Sequence, residues 1–144
     1  MANESNKLIV DIPISTYTTA GTGGTREWYG MLPQGDVWYL ENAYIYTDTD
    51  KAASTTNCCI WYLYDADGNA IASVSGAAAI SCQGTAFASF DSAYRRIDAA
   101  SAEKPFYLAF ANSGIGETAM TGVHVVTRWS ALRPGSAATR DETY

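Results

Sequence analysis

Two short acidic stretches contain the residues of this sequence that could hold a metal ion. YDADGN spans residues 64–69 and TDTD spans residues 47–50. Calcium takes six to eight oxygen ligands, so aspartates at alternating positions could begin such a site. The four candidate ligands are Asp48, Asp50, Asp65 and Asp67.

The spacing within YDADGN does not complete a helix-flanked calcium loop. Counted from Asp65, that loop needs glycine at its sixth position and a bidentate glutamate at its twelfth. This sequence has Ala70 and Gly76 there. Asp-Gly-Asn between two apolar runs is typical of a hairpin, because these residues tolerate positive φ. We therefore predict a hairpin, and a looser calcium site that combines both acidic stretches stays open as the alternative.

The sequence gives little support for nucleophilic catalysis. The chain has one histidine, His124, in the alternating run VHVVTRW, which predicts a position on the polar face of a strand. No GxSxG nucleophile motif occurs. The glycine-rich run AGTGG (20–24) precedes a predicted strand, whereas a phosphate cradle needs a helix N-terminus. We predict no enzyme, no catalytic residue and no cofactor.

The three cysteines, Cys58, Cys59 and Cys82, are expected to be small buried thiols. Their odd number argues against a disulfide framework. Their spacing lacks the paired CxxC arrangement of a zinc site, so we expect no zinc.

Composition argues against several classes of partner. The 144 residues include 15 acids and 9 basic residues, for a net charge of -6. Nucleic acids and anionic membranes attract basic surfaces, so we expect neither as a partner. The N-terminal LIV run is too short for a signal-peptide core, and no stretch approaches a membrane span. The expectation is a protein made in the cytoplasm.

The elements that position these residues are predicted to be strands, because the dominant hydrophobic period is two. About eight or nine strands separated by turn residues predict an all-β antiparallel sandwich or barrel over residues 7–132. Residues 1–6 form a polar N-terminal segment and residues 133–144 a tail. The strands are predicted at 7–14, 25–32, 37–46, 58–64, 70–74, 85–91, 94–98, 105–111 and 122–129.

Three strands carry more specific expectations. Pro13 cannot donate to a ladder, so the first strand is predicted to be an edge strand or to end near Pro13. CCIWYLY (58–64) is aromatic on both faces and is predicted to be central. A strict period of two in VWYLENAYIY (37–46) predicts that Leu40 and Tyr44 share one face, while Ala43 and Ile45 share the other.

The aromatic residues allow two interpretations. The chain has 10 tyrosines and 4 tryptophans, and alternation puts aromatic side chains on both faces of at least two strands. One face of a sandwich strand forms the core, and the other face is exposed or covered by a partner. The rings would therefore fill the core and a protein interface, because tyrosine and tryptophan are enriched at interfaces. A platform for sugar rings is the alternative.

The run VWYLENAYIYTDTDKAASTTNCCIWYLYDADGNAIASV, with the later PFYLAFANSGIGETAMTGVHVV, resembles capsid decoration (cement) proteins of tailed bacteriophages. The resemblance covers residues 37–75 and 105–127. It implies a jelly-roll or related β-sandwich that forms trimers on the outer capsid surface. Such proteins bridge neighbouring major capsid proteins and are not enzymes. The resemblance includes no site motif.

These observations predict a structural virion protein that binds the major capsid protein and other copies of itself. A carbohydrate- or receptor-binding module of a phage fibre is the alternative. Interface residues are chosen by residue type and by position at strand edges or chain ends. They are Trp28, Tyr29, Trp38, Trp129, Arg133 and Tyr144.

Overall fold

The computed structural model of the chain describes residues 7–17, 26–50, 58–75, 79–113 and 120–132, and in this part the chain forms nine strands and no helix. Both predicted end segments lie outside these residues. Within them, no helix could cross a membrane. The strands are β1 (Lys7–Tyr17), β2 (Arg26–Leu32), β3 (Val37–Tyr46), β4 (Cys58–Tyr64), β5 (Ala70–Ser75), β6 (Thr85–Ala86), β7 (Arg96–Asp98), β8 (Lys104–Ser113) and β9 (Met120–Leu132).

The strands form two antiparallel sheets. One, which we call the β1 sheet, has the order β1-β9-β3-β6, and β7 also pairs with β3. The other, the β2 sheet, has the order β2-β8-β4-β5. The first strand thus pairs with the last, and β4 pairs with β5 in the middle of the chain, like one long hairpin wrapped into a jelly roll. The predicted all-β, jelly-roll-like sandwich is confirmed.

The inward side chains of both sheets build one core. Phe106 on β8 and Trp129 on β9 join the sheets, with ring centroids 5.0 Å apart. Alternation along β1 buries Ile12 and Ile14, while Pro13 lies exposed on an edge strand, as predicted. The predicted central position of β4, between β8 and β5, is also confirmed.

The predicted facing of β3 is wrong beyond Leu40. Leu40 is buried, but the next buried residues are Ala43 and Ile45, and Tyr44 points outward. The cause is a register shift between Leu40 and Asn42 in the pairing of β3 with β9. Such a bulge adds one residue to a strand and changes which side chains face the core.

Arg95 holds the bulge in β3. Its Nε and Nη2 donate to the Leu40 carbonyl at 3.0 and 2.8 Å, and Nη2 also donates to the Glu41 carbonyl at 3.1 Å. The guanidinium lies over the rings of Tyr39 and Phe90, 4.6 and 4.2 Å from their centroids. The irregular carbonyls of the bulge thereby find hydrogen-bond donors within the same chain.

One flank of the sandwich is closed by the chain that follows β6. The backbone N–H of Phe87 donates to the Ala43 carbonyl on β3, and Ala88 exchanges backbone hydrogen bonds with Ser73 on β5. The strand predicted over 85–91 is therefore shortened to β6, because the chain then leaves the β1 sheet for the β2 sheet.

The opposite flank, which we call the open flank, consists of β1 and β2. Within the described residues β1 pairs with β9 alone and β2 with β8 alone, so each presents a free strand edge. The two strands approach closely inside the sandwich. A Cβ on Gly30 would lie 2.8 Å from Val10 and 2.6 Å from Phe106, so the packing at this point requires glycine.

YDADGN forms the predicted hairpin between β4 and β5. The backbone N–H of Asp65 donates to the Asn69 carbonyl at 3.0 Å, and Gly68, with a φ of 89°, donates to the Asp65 carbonyl. The Asp65 carboxylate accepts from the backbone N–H groups of Asp67 and Asn69 at 3.0 and 2.8 Å. Its oxygens therefore hold the turn.

Candidate interaction surface

Three tyrosines form a row across the outer face of the β2 sheet. Tyr29 on β2 pairs with Tyr107 on β8, and Tyr107 pairs with Tyr64 on β4. Side chains of directly opposed residues start about 4.5–5.5 Å apart, so the three rings share one surface. The ring centroids of Tyr29 and Tyr107 are 6.4 Å apart.

A second row runs beside the first. Tyr62 stacks on Tyr64, with ring centroids 5.7 Å apart and planes at 28°. Tyr62 pairs with Ala109 on β8, which is only 1% exposed although it alternates with the inward Leu108. A small residue between larger neighbours allows the rings to cover the sheet around it.

The surface extends to the edge of the sheet through Met31, which pairs with Pro105. Tyr29 is 63% exposed and Met31 40% exposed. The β2 sheet consists of β2, β8, β4 and β5. Among the outward positions of these strands, those with described side chains carry no charged residue. We call this surface the tyrosine face and define it by Tyr29, Met31, Tyr62, Tyr64 and Tyr107.

The direction of each ring follows from its chemistry. Three strands of the β2 sheet carry two aromatic residues in succession, and in each case the tyrosine is the outward one. A phenol O–H needs a hydrogen-bond partner, and water supplies one at the surface, whereas indole and phenyl rings gain more from the core. The pairs are Trp28 and Tyr29, Trp61 and Tyr62, and Phe106 and Tyr107.

The outer face of the β1 sheet is built differently. Lys7 Nζ donates to Ser130 Oγ at 3.0 Å, and Ser130 Oγ donates to the Glu41 carboxylate. His124 Nδ1 lies 3.0 Å from Asp11 Oδ1. We call this surface the polar face and define it by Lys7, Asp11, Glu41, His124 and Ser130. Its polar groups are hydrogen-bonded to one another across β1, β9 and β3.

His124 lies where the sequence predicts, on the polar side of β9. A carboxylate can only accept, so the Nδ1 of His124 donates to Asp11. The other side of the imidazole stacks on Tyr46, with centroids 5.1 Å apart. In the described part of the chain, no hydroxyl or thiol hydrogen-bonds to this ring, so the pair lacks the nucleophile that a triad needs.

The acids considered for calcium lie at two ends of the molecule. Asp48 and Asp50 follow the end of β3, near β6, whereas Asp65 and Asp67 lie in the β4–β5 hairpin at the opposite end of β5. Within the described residues, no group of three or more metal-ligating side chains occurs. The structure therefore does not bring the four acids together.

Asp50 instead pairs with Cys82. The backbone N–H of Cys82 donates to Asp50 Oδ1 at 2.8 Å, which lowers the pKa of that carboxyl. The hydrogen bond from the thiol to Asp50 raises the pKa of Cys82. The expectation of a buried thiol is wrong for Cys82, which is exposed because it lies in a turn before β6. The side chains of Cys58 and Cys59 lie outside the described part.

The tryptophans proposed as interface residues lie inward. Trp129 is 1% exposed and donates from Nε1 to Thr127 Oγ1. Trp38 is also buried, and its Nε1 donates to the Pro33 carbonyl. Trp28 is half-buried with its ring centroid 6.0 Å from that of Trp61.

Of the six interface residues chosen from the sequence, Tyr29 alone has a described side chain that is largely exposed. Arg133 and Tyr144 lie outside the described residues. The six chosen residues do not include Met31, Tyr62, Tyr64 and Tyr107, which are the other members of the tyrosine face. The signal that could have found the tyrosines is the succession of two aromatic residues, the second of them tyrosine, on three strands.

Comparisons with known proteins found no relative of this chain. No protein-family model matches the chain, and neither a curated protein nor a solved structure matches it.

Proposed function

We propose that this chain is a structural virion protein, a capsid decoration protein that binds the outer surface of a phage head and stabilises it. The observation that carries the proposal is the tyrosine face, whose described outward side chains are uncharged, on a jelly-roll-like sandwich. A contiguous, at least partly exposed aromatic surface with little charge is the composition of a protein contact. Three of its tyrosines, Tyr62, Tyr64 and Tyr107, lie in the two stretches that resemble decoration proteins.

The function needs two kinds of contact, one with the major capsid protein and one between copies of this chain. Each would consist of many modest interactions in which a few aromatic anchors dominate. A trimer that binds through three equivalent sites would gain affinity from the linkage of those sites. The decorated shell would then resist expansion, because each copy bridges neighbouring capsid subunits.

Co-sedimentation with empty capsids of the phage that encodes this chain tests the proposal. We expect the protein to sediment with the shell at a fixed stoichiometry, and the decorated shell to withstand heating better than the bare shell. Serum albumin, which is also acidic, is the control for trapping in the pellet. A protein that stays in the supernatant at every concentration would overturn the proposal.

A carbohydrate- or receptor-binding module of a phage fibre is the second candidate. The stacked rings of Tyr62 and Tyr64 favour it, because sugars pack on aromatic faces. The burial of Trp38, Trp61 and Trp129 counts against it, because the largest rings are withdrawn from the surface. Binding of the protein to a glycan array, abolished by Tyr62→Ala, would favour this candidate over the first.

A further inference from the structure

Two exposed arginines lie on the outer side of the β1 sheet, the side that carries the polar face. They are Arg128 on β9 and Arg96 on β7, and within the described residues neither guanidinium makes a hydrogen bond, an ion pair or a ring contact. Arg95 differs, because its guanidinium is bound to backbone carbonyls and lies over two rings. A guanidinium carries five N–H donors in a planar fork that matches a carboxylate. Arg96 and Arg128 can therefore still bind an acceptor.

Asn42 adds a further donor beside Arg128. The two residues are directly opposed on β3 and β9, so their side chains start about 4.5–5.5 Å apart. Asn42 is partly exposed, and its Oδ1 is buried with no hydrogen-bond partner in the described part of the chain, so its amide N–H groups are the polar part that can face solvent. Donors at this separation suit the two oxygens of one carboxylate. We call Asn42, Arg96 and Arg128 the donor cluster.

The acids on this side of the sheet already accept hydrogen bonds. Asp11 accepts from His124, and Glu41 accepts from Ser130. Asp98, which follows on β7, accepts from the backbone N–H of the turn after that strand. The unused hydrogen-bonding capacity of this side is therefore donor capacity, and the group that it fits is a carboxylate.

The two arginines of the donor cluster set the spacing of the carboxylates. Arg96 pairs with Tyr39, which pairs with Ser130, and Ser130 lies two residues along β9 from Arg128. Two strand spacings of about 4.8 Å and two residues of about 3.4 Å put the two arginine backbones roughly 12 Å apart. In an extended peptide, residues four positions apart point to the same side and lie roughly 14 Å apart. Two acidic residues at that separation would reach both arginines.

The net charge and Ile9 select the class of partner. The chain carries a net charge of -6, so highly charged polymers such as nucleic acids and polyuronates are repelled over most of its surface. Ile9 is 60% exposed and pairs with Arg128 on the side away from Arg96, so an apolar side chain of a ligand would gain by covering it. A peptide can present carboxylates and an apolar side chain together, whereas those polymers cannot.

We infer that the donor cluster binds an extended acidic peptide segment of another protein. The segment has an apolar residue for Ile9, an acidic residue two positions later for Arg128 and Asn42, and a second acidic residue four positions after that for Arg96. The inference goes beyond the proposed function and does not rest on it, because it uses the side of the sandwich opposite the tyrosine face.

Fluorescence anisotropy of a labelled synthetic peptide tests the inference, with leucine and two glutamates at these positions on a serine background. We expect the full chain to bind it, and Arg128→Glu to weaken binding at least ~10-fold, because a cation facing a carboxylate becomes an anion. Arg128→Lys keeps the charge but loses the planar fork, so it should weaken binding by a smaller factor. Lys104→Glu, the same change of charge at an exposed residue of β8, is the matched control and should bind like the wild type. All three variants change exposed side chains and should fold.

A second peptide of the same composition, with its two glutamates adjacent, controls for charge alone and should bind more weakly. The inference is overturned if the wild-type chain ignores the spaced peptide, if Arg128→Glu binds as well as the wild type, or if Lys104→Glu loses as much affinity. Tighter binding of polygalacturonate than of the peptide would also overturn it. None of these outcomes changes co-sedimentation with capsids, so the proposed function stands or fails separately.

Discussion

The two outer faces of the sandwich lie over the same core and carry similar numbers of tyrosines, yet their described side chains differ in charge. On the polar face, Lys7, Ser130 and Glu41 form a hydrogen-bonded chain, and Asp11 pairs with His124. On the tyrosine face, the described outward side chains carry no charge at all. Charge on the described outward side chains, more than the number of aromatic residues, therefore distinguishes the two faces.

The core beneath both faces should give the largest effect. Trp129→Ala removes a fully buried indole that packs at a tilt against Phe106 between the sheets, so we expect a loss of about 3–5 kcal/mol in the free energy of unfolding. Urea denaturation measures it. A loss below about 1 kcal/mol, the level of an ordinary mutation, would show that Trp129 is not a core residue. It would favour the role at a protein interface that the sequence predicts for Trp129.

The bulge at the polar face should give the next largest effect. Arg95→Ala removes three hydrogen bonds to the carbonyls of Leu40 and Glu41, so we expect a loss of about 2 kcal/mol. Arg96→Ala, an exposed arginine next in sequence, is the control and should stay within about 0.5 kcal/mol of the wild type. Equal losses in the two variants would contradict the role assigned to Arg95.

The hairpin that joins β4 and β5 supports the tyrosine face at one end. Asp65→Ala leaves the backbone N–H groups of Asp67 and Asn69 without their acceptor, so we expect a loss of about 1 kcal/mol. Asp67→Ala is the control at an exposed position of the same turn. A chelator should leave the melting temperature unchanged. A clear decrease would favour the calcium site that combines both acidic stretches.

The smallest effect concerns Cys82, which lies in the turn before β6. Its hydrogen bonds to Asp50 pair polar groups within the chain, as on the polar face. Asp50 raises the pKa of the thiol, so at about pH 8, just below the ordinary cysteine pKa of about 8.5, less thiolate is present than usual. Asp50→Asn lowers that pKa and should speed alkylation of Cys82, followed by mass spectrometry. Asp48→Asn is the control, and a rate equal in all three proteins would refute the pairing.

Sequence reasoning predicted the strands of this fold closely, because alternation and turn residues act locally. The bounds of β3 and β4 were predicted exactly as observed. The bulge between Leu40 and Asn42 was not predicted, because the extra residue is accommodated by pairing with β9 and by Arg95, which is distant in sequence. The crossing of the chain from the β1 sheet to the β2 sheet at Ala88 was not predicted for the same reason.

The candidate surface was predicted only in part. Residue type indicated aromatic anchors, and Tyr29 does lie exposed, but period two cannot tell which of two aromatic faces is inner. Burial of Trp38 and Trp129 follows from the sheet order, which joins strands far apart in sequence. Tyr64 and Tyr107 become neighbours of Tyr29 by the same order, so their shared surface is a property of the fold.

Tyrosine nitration, read residue by residue with and without an excess of empty capsids, tests the central claim most directly. We expect the tyrosines of the tyrosine face to lose reactivity on the capsid and those of the β1 sheet to keep theirs. Protection confined to the β1 sheet, or no protection at any capsid concentration, would contradict the proposed function. The residues to follow are Tyr29, Tyr62, Tyr64 and Tyr107 on the tyrosine face, and Tyr39, Tyr44 and Tyr46 on the outer side of β3.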